Sequence, residues 1–321
     1  MLEPQSTHPQ TAQRPGFSAT IAAPMASGPG TPNTVSSESP NTQNATQALG
    51  GSLELVPSVR GSRRAQLFKR ADRWFNRFVR LASALHEGFW LGCLSPDDLN
   101  AITASHYQQS REYASSEHNQ RGFFDWEVPV LERYFPPRSR ILVAAAGGGR
   151  EVLALRRAGF QAEGFECSPT LLGASHALFD QLGEPRSVIL CAADEVPAGP
   201  PLYSGLIVGW TAYTHVPTRR RRVAFLQGLR QRALPGSPVL VSFFPREKSS
   251  HHETLGYRTA CLSRLLFRGR KDASEIGDHL GWCFSHTFTR EEVETEMSAA
   301  GFHLVHYSEA GEGHAVGSRS D

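Results

Sequence analysis

The chain has 321 residues, and its 33 Lys and Arg nearly balance its 31 Asp and Glu for a formal net charge of +2. No whole-chain electrostatic footprint for nucleic acid is present, and no nucleic-acid partner is expected. The five cysteines, Cys93, Cys167, Cys191, Cys261 and Cys283, are odd in number, widely spaced and form no CxxC pair, which argues against a disulfide framework or a zinc site and for reduced thiols in a cytoplasmic protein. No run of apolar residues reaches the length of a membrane span, and the chain opens without a secretory signal.

Residues 1–60, including "SGPGTPNTVSSESPNTQNATQALGG", are rich in Ser, Thr, Pro, Gly, Asn and Gln. Such a composition buries too little apolar surface to offset chain entropy, so a disordered, low-complexity tail is expected there. From Arg63 to Ala84 the spacing of Leu67, Ala71, Trp74, Phe75 and Phe78 predicts an amphipathic helix whose other side carries Lys69, Arg70, Arg73, Arg77 and Arg80. The first expectation is that the apolar stripe packs on the domain and the basic side is solvated. The alternative is a helix lying on an anionic membrane. A second helix begins after Ser95, which is placed to cap it, with Pro96 at its first position and Asp97 and Asp98 near its positive end. A third runs from Gly122 to the stop at Pro136 and Pro137. Residues 61–139 therefore read as a helical region preceding the main domain at 140–321.

Beyond Arg140 the pattern alternates. "ILVAAA", "QAEGFE", "SVILCAA", "GLIVGW" and "PVLVSFF" read as strands separated by helices such as "GREVLALRRAG" and "PTLLGASHALFDQLG", which predicts an α/β fold with a parallel sheet and right-handed crossovers. A polar insert spans Arg246 to His286. A helix capped by Thr289 and Glu292 follows and stops at Gly301, and "FHLVHYSEAGEGHAVG" reads as a hairpin.

The first strand runs into "AGGGRE" and then a helix, so backbone amides at the helix start face the space above the strand ends. Glu166 closes the second strand 17 residues after Gly149, where a carboxylate accepts hydrogen bonds from the ribose hydroxyls of an adenosine; a solvated strand-end acid is the plain alternative. After the third strand, Asp194 and Glu195 are both placed to meet an adenine edge, and a turn-capping role is equally open to Asp194. A dinucleotide fingerprint from Gly147 fails at Val152, and no GK[ST] follows the glycines. Sites for a pyrophosphate or a triphosphate are thereby disfavoured.

Over roughly Arg140 to Val316 these features resemble the class I, Rossmann-like, S-adenosylmethionine-dependent methyltransferases. The resemblance puts Ala145, Gly147 and Gly149 on the family's GxGxG positions and Val143 where the family carries an acid. It implies a doubly wound, seven-stranded, mostly parallel sheet ending in an antiparallel hairpin, with the preceding helices acting as a lid. It also implies S-adenosylmethionine as cofactor, held by the glycine loop with Glu166, Cys167, Asp194, Glu195 and Trp210, while Tyr107 and Tyr113 reach its carboxylate or sulfonium. Methyl transfer to an oxygen or nitrogen of a small molecule would follow, with His215 as base and Tyr213 lining the pocket. No metal is expected, since the adjacent His251 and His252 lack a third ligand at suitable spacing. Two other readings stay open: a protein of the same fold that binds the cofactor without turnover, suggested by Val143 and Ala145, and a dinucleotide-dependent oxidoreductase.

Overall fold

The computed structural model describes residues 62–246, 249–266, 274–310 and 312–320. The tail expected over 1–60 lies outside the described residues. Five helices come first: α1 (Arg63–Cys93), α2 (Pro96–Gln109), α3 (Arg111–Ala114), α4 (Ser116–Gln120) and α5 (Glu127–Tyr134). The alternating part follows as β1 (Arg140–Ala144), α6 (Arg150–Arg157), β2 (Gln161–Glu166), α7 (Pro169–Leu182), β3 (Val188–Leu190), β4 (Gly205–Val208), a 3-10 turn (Ala212–His215), α8 (Arg219–Arg232) and β5 (Pro238–Pro245). The chain closes with α9 (His251–Leu266), β6 (Asp278–Leu280), β7 (Phe284–Phe288), α10 (Arg290–Ala299), β8 (Phe302–Ser308) and β9 (Gly313–Arg319).

Strands β3, β2, β1, β4 and β5 lie side by side and parallel. Strand β9 then pairs antiparallel with β5, from Pro238 opposite Ser318 to Phe243 opposite Gly313, and β8 pairs antiparallel with β9. The order β3-β2-β1-β4-β5-β9-β8 is the doubly wound, seven-stranded sheet with a terminal hairpin that the sequence implied. Two further strands come from the insert: β7 pairs in parallel with the last residues of β5, at Phe244 and Pro245, and β6 pairs with β7. The sequence of the insert shows no strand, because strands of three and five residues carry too short an alternation to register.

Both faces of the sheet are covered, as the pleat requires when apolar residues occupy consecutive positions. On β1, Ile141 and Val143 pack with Val152, Leu155 and Phe179 beneath helices α6 and α7. Leu142 and Ala144 face the other way, toward Phe225, Leu226 and Leu229 of α8. Helix starts follow the predicted chemistry. Ser95 and Asp98 form a reciprocal capping box at α2, and Thr289 and Glu292 do so at α10, each satisfying amide groups that the helix itself leaves unpaired.

Helix α1 departs from expectation. Its buried residues are Ala84, Gly88, Leu91 and Gly92 near the C-terminal end, and the apolar stripe expected to pack on the domain is in water: Leu67, Phe68, Trp74, Phe75 and Phe78 are 64–73% exposed. The reason lies in the partner. Helix α9 offers Gly256, Ala260 and Ser263 to Gly88 and Gly92, so tightly that a Cβ at Gly88 would overlap the Gly256 carbonyl and one at Gly92 the Ser263 hydroxyl. The sixteen residues of α9 are spent on the last turns of α1, and the earlier turns project past it. No helix among the described residues is long and apolar enough to cross a membrane.

Candidate active site

At the end of β1 the chain turns through three left-handed residues, Ala145 (φ 53°), Gly147 (φ 54°) and Gly149 (φ 95°), before entering α6. The turn brings the Gly147 amide to Glu166, donating to Oε2 at 2.8 Å, while the Ser168 amide donates to Oε1 at 2.8 Å. Glu166 is thus fixed at the C-terminal end of β2 with a lone pair on each oxygen still available. A Cβ on Gly147 would meet nothing within 4 Å, so the backbone there is open to a ligand. Gly148 is closed instead by the buried Asn119, whose Nδ2 is held by the carbonyls of Tyr113 and Ser115.

A cavity opens above these strand ends. It is lined by Ala145, Gly147, Glu166, Cys167, Asp194, Glu195, Trp210, Tyr107, Tyr113 and His215, so ten of the twelve residues singled out in the sequence converge on it. Two do not. Gly149 lies behind the loop as the residue capping α6, against Phe179. Tyr213 is a correction: it is 1% exposed, its hydroxyl donates to Glu296 at 2.6 Å, and its ring stacks on Phe288. With three residues per turn, the 3-10 turn puts Ala212 and His215 on the cavity side and Tyr213, a third of a turn from Ala212, on the core side.

The cavity also holds residues that sequence reasoning missed: Asn100, Thr103, His118, Asn119, Arg150 and Glu151. Arg150 and Glu151 follow the glycines directly and were legible as charged groups entering a buried helix. The others come from helices whose docking no local pattern reveals. Arg150 is 2% exposed and wholly engaged, with a bidentate pair to Glu127 at 2.9 Å and a bond to Glu151 at 2.7 Å. Burial works against its charge, but the two carboxylates outweigh it and raise its pKa. Glu151 Oε1 also accepts from the Trp210 amide at 3.0 Å. Asp194 accepts from Asn100 at 2.5 Å and from Arg221 at 3.2 Å, and burial nevertheless pushes its carboxyl up. Two polar atoms of lining residues, His118 Nδ1 and Trp210 Nε1, are buried and have no hydrogen-bond partner among the described residues.

On the far wall, His215 Nδ1 lies 2.7 Å from the Phe284 carbonyl, which only accepts, so the proton sits on Nδ1. Nε2 then accepts from the Tyr107 hydroxyl at 2.8 Å. Burial holds the imidazole below its usual pKa and drives the Tyr107 phenol far above its own. The resting pair is a neutral imidazole and a neutral phenol.

The chain is similar in fold to solved S-adenosylmethionine-dependent methyltransferases. One from Methanosarcina mazei is 14% identical with a TM-score of 0.47, over 62% of this chain and 99% of its own. The 1,6-didemethyltoxoflavin-N1-methyltransferase of Burkholderia thailandensis, solved with 1,6-didemethyltoxoflavin and S-adenosylhomocysteine, is 16% identical with a TM-score of 0.46, over 71% and 92%. The amino pentose methyltransferase CalS10 of Micromonospora echinaspora, solved with S-adenosylmethionine, is 17% identical with a TM-score of 0.43, over 68% and 95%. No protein-family profile and no curated protein matches the chain. Among the described residues no group of three or more His, Cys, Asp or Glu comes together to hold a metal ion.

Proposed function

We propose that the chain binds S-adenosylmethionine in this cavity and transfers its methyl group to an oxygen or nitrogen of a small-molecule acceptor. The observation that carries the reading is the charge of the lining. Among the described residues that line the cavity, Glu151, Glu166, Asp194 and Glu195 stand against a single guanidinium, Arg150, already bound by Glu127 and Glu151. A pyrophosphate would meet carboxylates and no free cation there, whereas a sulfonium with an ammonium suits an acidic wall.

The residues present fit such a ligand. Glu166 has a free lone pair on each oxygen for two ribose hydroxyls, and Asp194 or Glu195 borders the adenine edge. Val143 is fully buried in the core and supplies no charge; Glu151, the second residue of α6, would take its place and receive the ammonium. The unpartnered His118 Nδ1 and Trp210 Nε1 supply further polar contacts. When bound, the cofactor provides an already activated methyl group, so the protein's task is alignment, exclusion of water and removal of a proton. Tyr107 accepts the acceptor's proton as it passes its own to His215 Nε2, and the Phe284 carbonyl steadies the imidazolium that forms. The five cysteines are free thiols, in keeping with a reducing, cytoplasmic setting.

Calorimetric titration with S-adenosylmethionine, S-adenosylhomocysteine and NAD tests the reading. Micromolar binding of the first two, weakened on the order of a hundredfold by Glu166→Ala, is expected, since each hydrogen bond to a charged group is worth about 1.5–3 kcal/mol. Binding of NAD alone would overturn it. Tight binding without label transfer to any alcohol or amine acceptor would favour the second reading, a cofactor-binding protein without turnover, to which the missing acid at Val143 also points.

A further inference from the structure

The first five turns of α1 carry a surface that neither the core nor the cavity uses. Leu67, Phe68, Trp74, Phe75, Phe78 and Leu81 are 48–73% exposed. Leu67, Trp74 and Leu81 recur every seven residues, as do Phe68 and Phe75, and Phe78 lies three and four residues from Phe75 and Trp74, so all six lie along one side of the helix. Lys69, Arg70, Arg73, Arg77 and Arg80 occupy the opposite side and its border. Residues 63–81 contain seven Lys and Arg against the single Asp72, in a chain whose formal net charge is only +2. Asp72 is engaged with Asn76 at 3.0 Å, and among the described residues none of those five basic side chains has a carboxylate within ion-pair distance.

Isolated apolar residues at a surface are ordinary; a contiguous aromatic stripe is not. We propose that this arm is an anchor for an anionic lipid surface, its aromatic side lying among the acyl chains and headgroups and its basic side chains reaching up to lipid phosphates. The charge distribution selects this occupant. A second copy would bring two strongly positive helices together. A nucleic acid would engage the basic side and leave Trp74, Phe75 and Phe78 in water. The residues preceding the arm, 1–61, hold three Glu and no Asp, too few to complement it. Only a surface that is apolar beneath and negative at its boundary matches both sides at once. Arg and Lys stems are long enough to lie along the apolar boundary with their heads in the phosphate layer, and Trp favours that depth.

The test is flotation of the full chain with vesicles of phosphatidylcholine alone and of an equimolar mixture with phosphatidylglycerol. The expected result is recovery with the mixed vesicles only, declining as added salt shortens the screening length below about 10 Å. Phe75→Glu with Phe78→Glu, and separately Arg73→Glu with Arg77→Glu, each reduce partitioning on the order of tenfold or more. Both pairs are exposed, so thermal melting stays at the wild-type value. Recovery with neither vesicle type overturns the proposal. So does a doubled mass in light scattering that the Phe pair abolishes, which would make a second copy the occupant. Binding that survives the Phe pair but not the Arg pair would reduce the arm to a general polyanion site and also overturn it.

Discussion

Ala145 holds a Cβ in the left-handed region at φ 53°, where every residue but glycine is strained by about 1–2 kcal/mol. The glycine that the family resemblance called for relieves that strain and loses part of the gain to its freer unfolded chain. Ala145→Gly is therefore expected to raise stability by up to about 1 kcal/mol, read as a higher urea midpoint at unchanged slope. His215 gives a second prediction. Burial lowers its pKa below the ordinary imidazole value, and only the neutral form accepts a proton from Tyr107. Activity is thus complete at neutral pH and lost as pH falls through a value below about 6.5. In His215→Asn the remaining activity loses this acid limb; a limb that persists unchanged would assign it to another group. At this scale the strand-end carboxylate and the glycine turn were readable because they sit on regular elements. Tyr213 was not, because a single 3-10 turn decides whether Tyr213 or His215 faces the cavity, and four residues are too few to show a period.

Helices α1 and α9 meet through glycine and serine rather than through large apolar residues. Gly88 lies against the Gly256 carbonyl, Gly92 against Ala260 and Ser263, and Ser263 Oγ donates to the Phe89 carbonyl at 3.2 Å. With backbones this close, even one added methyl forces the helices apart, and such overpacking costs about 1–3 kcal/mol. Gly88→Ala is expected to destabilise by that amount in urea, with early hydrogen exchange confined to α9 and the β6–β7 hairpin. Loss of protection across the whole sheet instead would mean that the seam supports the entire fold. Periodicity announced α1 as amphipathic and mistook which turns would be buried, because hydrophobicity marks what water disfavours, and close backbone contact between glycines registers on no such scale.

The insert and the C-terminal part of the molecule are tied together by Arg222. Its guanidinium, fully buried, pairs with Glu296 of α10 at 2.7 Å and with Glu275 of the insert at 2.6 Å, and lies over the Phe288 ring. The same Glu296 receives the Tyr213 hydroxyl, so one network joins α8, α10, the insert and the turn bearing His215. Glu296→Leu leaves a buried cation short of its main partner and is expected to cost about 3–5 kcal/mol, most of which Arg222→Met in the same chain restores. Equal melting temperatures for the single and double variants would contradict this. By itself the sequence determined the alternation of strands and helices from β1 to β5 and the closing helix and hairpin, the caps of α2 and α10, and the glycine turn with its acid one strand later, since each follows from side-chain periodicity or from chemistry within a few residues. Only the tertiary structure decided that Asn100, His118 and Asn119 join the cavity, that Arg150 is spent on Glu127 and Glu151, and that the aromatic side of α1 stays in water. Those outcomes depend on which surfaces meet across long stretches of chain, and that is set by close packing and buried charge pairing, neither of which has a local signature.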